Sequence, residues 1–261
     1  MTNIVVLVKQ VPDTYSERKL SGSDHTLDRE SADAVLDEIN EKAVEEALKI
    51  KEAGEGEVTV ISVGPDRATD AIRKALSMGA DKAIHVSDEA LHGSDAIATA
   101  KVLAAAIKKV EGFDLVIAGN ESSDGRGGAV PAILAELLGL PQVTYVRELT
   151  VDGSTIKATR ETEDGLTHLE ASLPAIVSVG EKINEPRYPS FKGIMAAKKK
   201  PVETVTIADL GIDAGEVGLA NAWSTVTEAS PKPPRTAGEK VEDEGDGGTK
   251  VAEYLVGQKL I

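Results

Sequence analysis

Four times in the first 140 residues a short unbroken apolar run is followed by a helical pattern, and this alternation constrains the chain more than any other feature. Ile4-Val5-Val6-Leu7-Val8 is apolar without interruption, the mark of a strand buried on both faces. Val35, Leu36, Ile39, Ala43, Ala47 and Ile50 then recur near helical spacing with Glu and Lys between them, which predicts a helix over about 34–52. The cycle repeats as strand 58–63 and helix 68–78, strand 83–86 and helix 94–110, then strand 115–118 and helix 129–138. Ser94 is the expected N-cap of the third helix, and Gly79 and Gly139 stop the second and fourth. Strands alternating with helices build βαβ units, so the expected fold is α/β, with a mostly parallel sheet covered on both faces.

The rhythm changes after Tyr145. β-type runs up to Ser172 are separated by Asp152-Gly153 and Asp164-Gly165, the dipeptide that most strongly marks a hairpin. An antiparallel extension is therefore predicted, followed by a buried strand at 175–179. From Asn184 the pattern of a compact core is lost. Glu185-Pro186-Arg187-Tyr188-Pro189 suits neither helix nor central strand, and Lys198-Lys199-Lys200, the Pro-rich 230–234 and the acidic 239–246 follow. The last twelve residues carry Val251, Tyr254, Leu255 and Leu260 as a short amphipathic helix that needs a surface to cover its stripe.

Composition narrows the function. With 44 Asp plus Glu against 29 Lys plus Arg, the formal charge is −15, a poor match to nucleic acid or to an anionic membrane. Aromatics at 3% are too few for base-stacking platforms. Cys is absent, so disulfides, thiolate nucleophiles and Cys-ligated metals are excluded. No apolar run reaches the roughly 18 residues of a membrane span, and no basic segment precedes the first strand. A soluble, cytoplasmic protein is expected, without membrane insertion.

The best local signal for chemistry is Gly119-Asn120-Glu121-Ser122-Ser123-Asp124-Gly125-Arg126-Gly127-Gly128, between the fourth strand and the fourth helix. Glycines there let backbone N–H groups approach a phosphate, and the helix N-terminus adds its positive dipole end. Ser122 and Ser123 can donate to phosphate oxygens and Arg126 can neutralise them. The loop lies where ligands bind in open α/β sheets, outside the carboxyl ends of the strands, yet it is neither the dinucleotide fingerprint nor the Walker loop. A loop of about 20 residues follows Lys9-Gln10-Val11-Pro12-Asp13, a length that signals function or an internal hairpin. By spacing alone, Asp37-Glu38-Ile39-Asn40-Glu41 reads as a solvated helix face. His25, His85, His92 and His168 show no metal-site spacing, no paired carboxylates make an acid–base couple, and no nucleophile elbow is present. Neither a catalytic residue nor a metal site is expected.

A second group of residues suits docking. Phe191 is set in Arg187-Tyr188-Pro189-Ser190-Phe191-Lys192-Gly193-Ile194, where Pro189 and Gly193 are expected to bracket an exposed turn. An apolar anchor from Phe191 and Ile194, with Lys198, Lys199 and Lys200 steering the encounter, fits a transient interface.

Several ordered stretches carry a resemblance: Val8-Lys9-Gln10-Val11-Pro12-Asp13, Ala43-Val44-Glu45-Glu46-Ala47-Leu48, Ala75-Leu76-Ser77-Met78-Gly79-Ala80-Asp81, and Arg160-Glu161-Thr162-Glu163-Asp164-Gly165 leading through Glu170 to Leu173-Pro174-Ala175. With Asn184-Glu185-Pro186-Arg187-Tyr188, Ala197-Lys198-Lys199-Lys200 and Arg235-Thr236-Ala237-Gly238, the chain resembles the β subunit of electron transfer flavoprotein over essentially its whole length. The resemblance implies a Rossmann-like domain of the adenine nucleotide alpha hydrolase type that holds AMP, or a second FAD in electron-bifurcating relatives. It implies a heterodimer with an α subunit carrying the redox FAD, electrons taken from acyl-CoA and other dehydrogenases, and their passage to a membrane quinone oxidoreductase. Carried over by position, the nucleotide would lie against Leu7, Asp37, Glu38, Ile39, Asn40, Val63 and the ten residues from Gly119 to Gly128. Phe191 stands where many members carry a leucine anchor, and Thr14 and Ile39 replace aromatics near the partner's flavin. The implied division is a nucleotide-binding domain at 1–185, a partner-recognition loop at 186–204, and an arm at 205–261 that packs on the α subunit. Two other readings compete. An adenylating or pyrophosphatase-type enzyme would need a different loop after the first strand, and a universal-stress-type adenine-nucleotide module leaves everything after Tyr145 idle.

Overall fold

The computed structural model describes residues 2–235, 237–238 and 240–261; Met1, Thr236 of the Arg235–Gly238 stretch and Glu239 of the acidic run lie outside the described residues. Two compact units divide the chain, one running to Thr227 and the other Glu228–Ile261.

In the first unit β1 (Ile4–Leu7) leads to the short β2 (Gln10–Pro12), which pairs antiparallel with β3 (Ala34–Leu36) before α1 (Glu38–Ala53). Then follow β4 (Val58–Val63), α2 (Thr69–Met78), β5 (Lys82–Val86), α3 (Ala96–Lys108), β6 (Leu115–Gly119) and α4 (Val130–Leu138). After these come β7 (Gln142–Asp152), β8 (Thr155–Thr162), β9 (Gly165–Ser172), β10 (Ala175–Val179), α5 (Phe191–Ala197) and β11 (Val202–Val205). Nine strands form one sheet in the order β11-β5-β4-β1-β6-β10-β7-β8-β9. The seven from β11 to β7 are parallel, and β8 and β9 extend β7 as an antiparallel meander.

The unbroken apolar runs are buried on both faces, as parallel strands require. Val6, Val60 and Val177 face α1 and α2, packing with Val44, Leu48, Ile72 and Leu76. Val5, Ile61, Val116 and Ile176 face the other way onto Val102, Ile107 and Leu134 of α3 and α4. Each such side chain contributes roughly 1.5–3 kcal/mol on burial, so these two layers carry the fold. Gly139 ends α4 with φ +65°, the left-handed cap only glycine adopts without strain, and Gly153 (φ +60°) turns the β7–β8 hairpin.

Three boundaries differ from the sequence pattern. The expected helix from residue 34 begins at Glu38, because Asp37 caps it and Ala34–Leu36 is spent as β3. The N-cap of α3 is Asp95 rather than Ser94, its carboxylate accepting from Ala98 N. The chain also does not leave the core at Asn184: β11 pairs with β5, and Val205, Ile207 and Val217 are buried beyond it.

The second unit contains α6 (Gly247–Gly257), which holds Val251, Tyr254 and Leu255 of the expected amphipathic helix. Among the described residues no helix is long and apolar enough to cross a membrane.

Candidate functional site

The strand order turns at β1, which has β4 on one side and β6 on the other, so the chain's crossovers diverge there and leave a crevice at the carboxyl ends. Leu7 ends β1, Val63 ends β4, and residues 119–128 leave β6 at this place.

Asp37 is fully buried at the head of α1. Its Oδ1 accepts from Ile39 N (3.0 Å) and Asn40 N (3.2 Å), the usual work of an N-cap, while Oδ2 accepts from Ser123 N at 2.7 Å. One carboxylate thus ties the start of a helix to the glycine-rich loop. Asn40 Oδ1 accepts from Lys9 N at 2.8 Å, and a Cβ on Gly119 would stand 2.6 Å from Asn40 Nδ2, so only glycine allows β6 and α1 to meet this closely. The solvated-face reading of 37–41 is therefore overturned for Asp37, Ile39 and Asn40, which are buried; Glu38 alone of these four is exposed.

Asp124 is the loop's second anchor, with its side chain 2% exposed. Lys9 Nζ lies 2.8 Å from Oδ1 and Arg29 3.6 Å from Oδ2. Burial works against the charge, but Lys9, with help from Ser122 and Arg29, outweighs it and holds the carboxyl below its ordinary value. Ser122 Oγ accepts from Lys9 Nζ at 3.3 Å, and Arg18 of the long loop donates to Ser123 O at 2.6 Å. That long loop contains a hairpin bridge, Leu20 to Leu27, and is fastened by His92 to Asp24 at 2.8 Å. Arg126 sits at φ +48°, is largely exposed, and reaches Glu121 at 3.7 Å.

With its side chains so committed, the loop offers its backbone. Among the described residues the N–H groups of Gly127, Gly128, Ala129 and Val130 have no acceptor in the chain, and α4 begins there with no side-chain cap and with Pro131 in its first turn. A Cβ on Gly127 would meet nothing within 4 Å, so the space in front of it is open. Asn120 Oδ1, at the mouth of the loop, is sealed from solvent with no hydrogen-bond partner among the described residues. The free N–H groups fit an anion. They do not coincide with a hollow of about 400 Å³ on the antiparallel extension beside Glu148, Thr159 and His168, which is lined mainly by polar side chains.

The resemblance, not the spacing, set Asp37, Ile39 and Asn40 beside the loop, and Asp37 does bond Ser123 N; neither pointed to Lys9, Arg18 or Arg29. Lys9 had a signal, since it directly follows the central strand. The two arginines had none, because they arrive from a loop without periodicity.

The segment with Phe191 is a short helix, α5, rather than the expected turn. Ser190 caps it through Gly193 N at 3.0 Å, and Gly193 is required by packing: a Cβ there would stand 2.5 Å from Ser77 O of α2. Tyr188 and Phe191 are 95% and 80% exposed, and Ile194 and Met195 join them at the surface. Arg187 fixes the approach, bonding Glu45 Oε2 at 2.8 Å and Glu52 Oε2 at 3.0 Å. Lys200 is not a free steering charge. Its Nζ donates to Leu76 O and Ala80 O, closing the end of α2, and burial lowers its pKa. Lys198 and Lys199 are exposed.

The model of the electron transfer flavoprotein domain matches residues 24–210. The chain is 64% identical, over all of both chains, to the electron transfer flavoprotein subunit beta of Mycobacterium bovis, and equally to that of Mycobacterium leprae. It is 37% identical to the subunit of the same name from Megasphaera elsdenii, over 99% of each chain.

Proposed function

The chain belongs to the electron transfer flavoprotein family, as a β subunit, and on that premise we propose that its sheet-end cradle holds the phosphate of an adenine nucleotide while α5 docks the proteins that deliver electrons. The observation that carries the nucleotide reading is the run of unclaimed backbone N–H groups from Gly127 to Val130 at the open N-terminus of α4. AMP is the proposed occupant. One phosphate matches one short cradle, and Leu7, Val63 and Ile39 supply apolar walls beside it.

The name subunit beta implies an α partner, and the working unit proposed is a cytoplasmic heterodimer. FAD, bound mainly by the α subunit, supplies the redox chemistry when bound. This chain's residues bind, orient and dock, and carry no catalytic chemistry of their own. Acyl-CoA and other dehydrogenases are the proposed donors, with Phe191 and Ile194 as the apolar anchors. A membrane quinone oxidoreductase is the proposed acceptor. The arm containing α6 lays its apolar stripe on the α subunit.

The test is to purify the heterodimer, denature it, and count AMP and FAD. One of each is expected. Gly127→Val directs a side chain from a Cβ position that meets nothing within 4 Å into the space before the cradle, so AMP is expected to be lost while the melting temperature holds. Full AMP content in that variant would refute the placement.

A further inference from the structure

Tyr145 combines an unusual backbone with an unusual address. Its φ is +57°, the left-handed region that bulky residues avoid. It sits where β7 leaves the parallel sheet. Gln142 and Val143 pair with Ile176 and Val177, Val146 with Val179, and from Val146 onward the strand pairs with β8, with irregular register on both sides. Thr144 and Tyr145 together stand opposite the single residue Ser178, and such bulges re-aim a side chain. The conformation is pinned from both neighbours: Tyr145 N donates to Ser178 Oγ at 3.2 Å, and Arg160 Nε donates to Thr144 O at 2.8 Å. A strained residue held this firmly points to a use for its side chain.

The bulge delivers the phenol to the nucleotide loop. A Cβ on Gly128 (φ +62°) would stand 3.1 Å from Tyr145 Oη, so the hydroxyl lies over the same backbone whose N–H groups are unclaimed. Tyr145 is 43% exposed, and among the described residues its hydroxyl has no hydrogen-bond partner in the chain. The main-chain carbonyl of Asn120 is 3.9 Å from that Gly128 Cβ position, so the loop closes under the same space. Donor hydroxyl and unclaimed backbone N–H groups thus border one space.

We propose that Tyr145 is a nucleotide-binding residue that donates its hydroxyl to the phosphate held at Gly128. The proposal rests on the nucleotide reading above. It makes the antiparallel extension part of the binding site rather than an appendage.

The experiment titrates AMP, and adenosine as the phosphate-free control, into the heterodimer stripped of AMP. Wild type binding AMP more tightly than adenosine tests the nucleotide reading; if it binds no AMP, that reading and this one both fall. Tyr145→Phe keeps the ring and is expected to weaken AMP about tenfold, the loss of one hydrogen bond to a charged group, and to leave adenosine unchanged. AMP affinity within twofold of wild type, or an equal loss for adenosine, overturns the phosphate contact while the nucleotide reading stands. Tyr145→Gly relieves the backbone and removes the phenol. It is expected to melt no earlier than wild type and to lose AMP affinity as Tyr145→Phe does. Early melting with unchanged AMP affinity would make Tyr145 a residue of the fold alone.

Discussion

At the carboxyl end of the sheet, Asp37, Lys9 and Asp124 lock a loop so that its backbone N–H groups face outward. Along 184–200, Arg187, Arg73 and Lys200 lock a backbone so that apolar side chains face outward. Both regions spend their charged side chains on holding main chain, and they differ in what remains free. Free N–H groups in a crevice suit a small anion, which needs fixed geometry and little area. Free Phe191 and Ile194 on α5, with Tyr188 just before it, suit a macromolecule, which needs apolar anchors and tolerates rearrangement. Rigid main chain is common to the two; the ligand class follows from the group left over.

The contrast can be broken most sharply at Phe191. Its ring is largely exposed, so Phe191→Ala is expected to lower dehydrogenase docking by about 2–4 kcal/mol with no change in melting temperature or AMP content. Dehydrogenase-coupled reduction of the heterodimer, run beside a thermal melt, reads both; early melting or normal electron acceptance would place Phe191 in the fold instead. Arg187→Ala attacks the lock rather than the anchor. It leaves Glu45, 9% exposed, without its partner, and is expected to remove about 2–3 kcal/mol of stability in urea unfolding while the nucleotide stays bound. Loss of AMP from this variant would show that the two regions are one cooperative site. The smallest effect is expected in acid. The Asp124 carboxyl lies below its ordinary value in the folded chain, so its contribution is fully present above about pH 4 and fades as pH falls further. The stability gap between wild type and Asp124→Asn should therefore close between about pH 4 and 2, and a gap independent of pH would remove the Lys9 pairing from the account.

The central fold was legible because parallel strands are buried on both faces and therefore write themselves as unbroken apolar runs, as Ile4–Leu7 and Leu115–Gly119 do. The meander was legible through Asp152-Gly153 and Asp164-Gly165, whose turns demand those residues. β2, β3 and β11 were not, because three or four residues cannot establish a period, and Val202-Glu203-Thr204-Val205 is hidden beside lysines and a proline. Gly193 misled for a specific reason. Glycine ordinarily weakens a helix, yet here it lets α5 rest against Ser77 O, a contact that only the folded chain contains. In the nucleotide loop the glycines announced an anion, but the ions that fix Asp124 come from 115 and 95 positions away, beyond the reach of any local pattern. Tyr145 was equally silent, since a bulge is a relation between strands.

The position of β10 has a consequence for how the molecule is made. β6 and β7 never touch; β10, later in the chain than both, is inserted between them. Before 175–179 is in place β6 and β7 each lack the partner on that side, and β5 lacks its outer partner until β11 arrives. Exposed edges are templates for pairing with other chains. The segment 175–205 therefore supplies both strands that cap these edges, so the sheet is complete only once the chain has run past Val205.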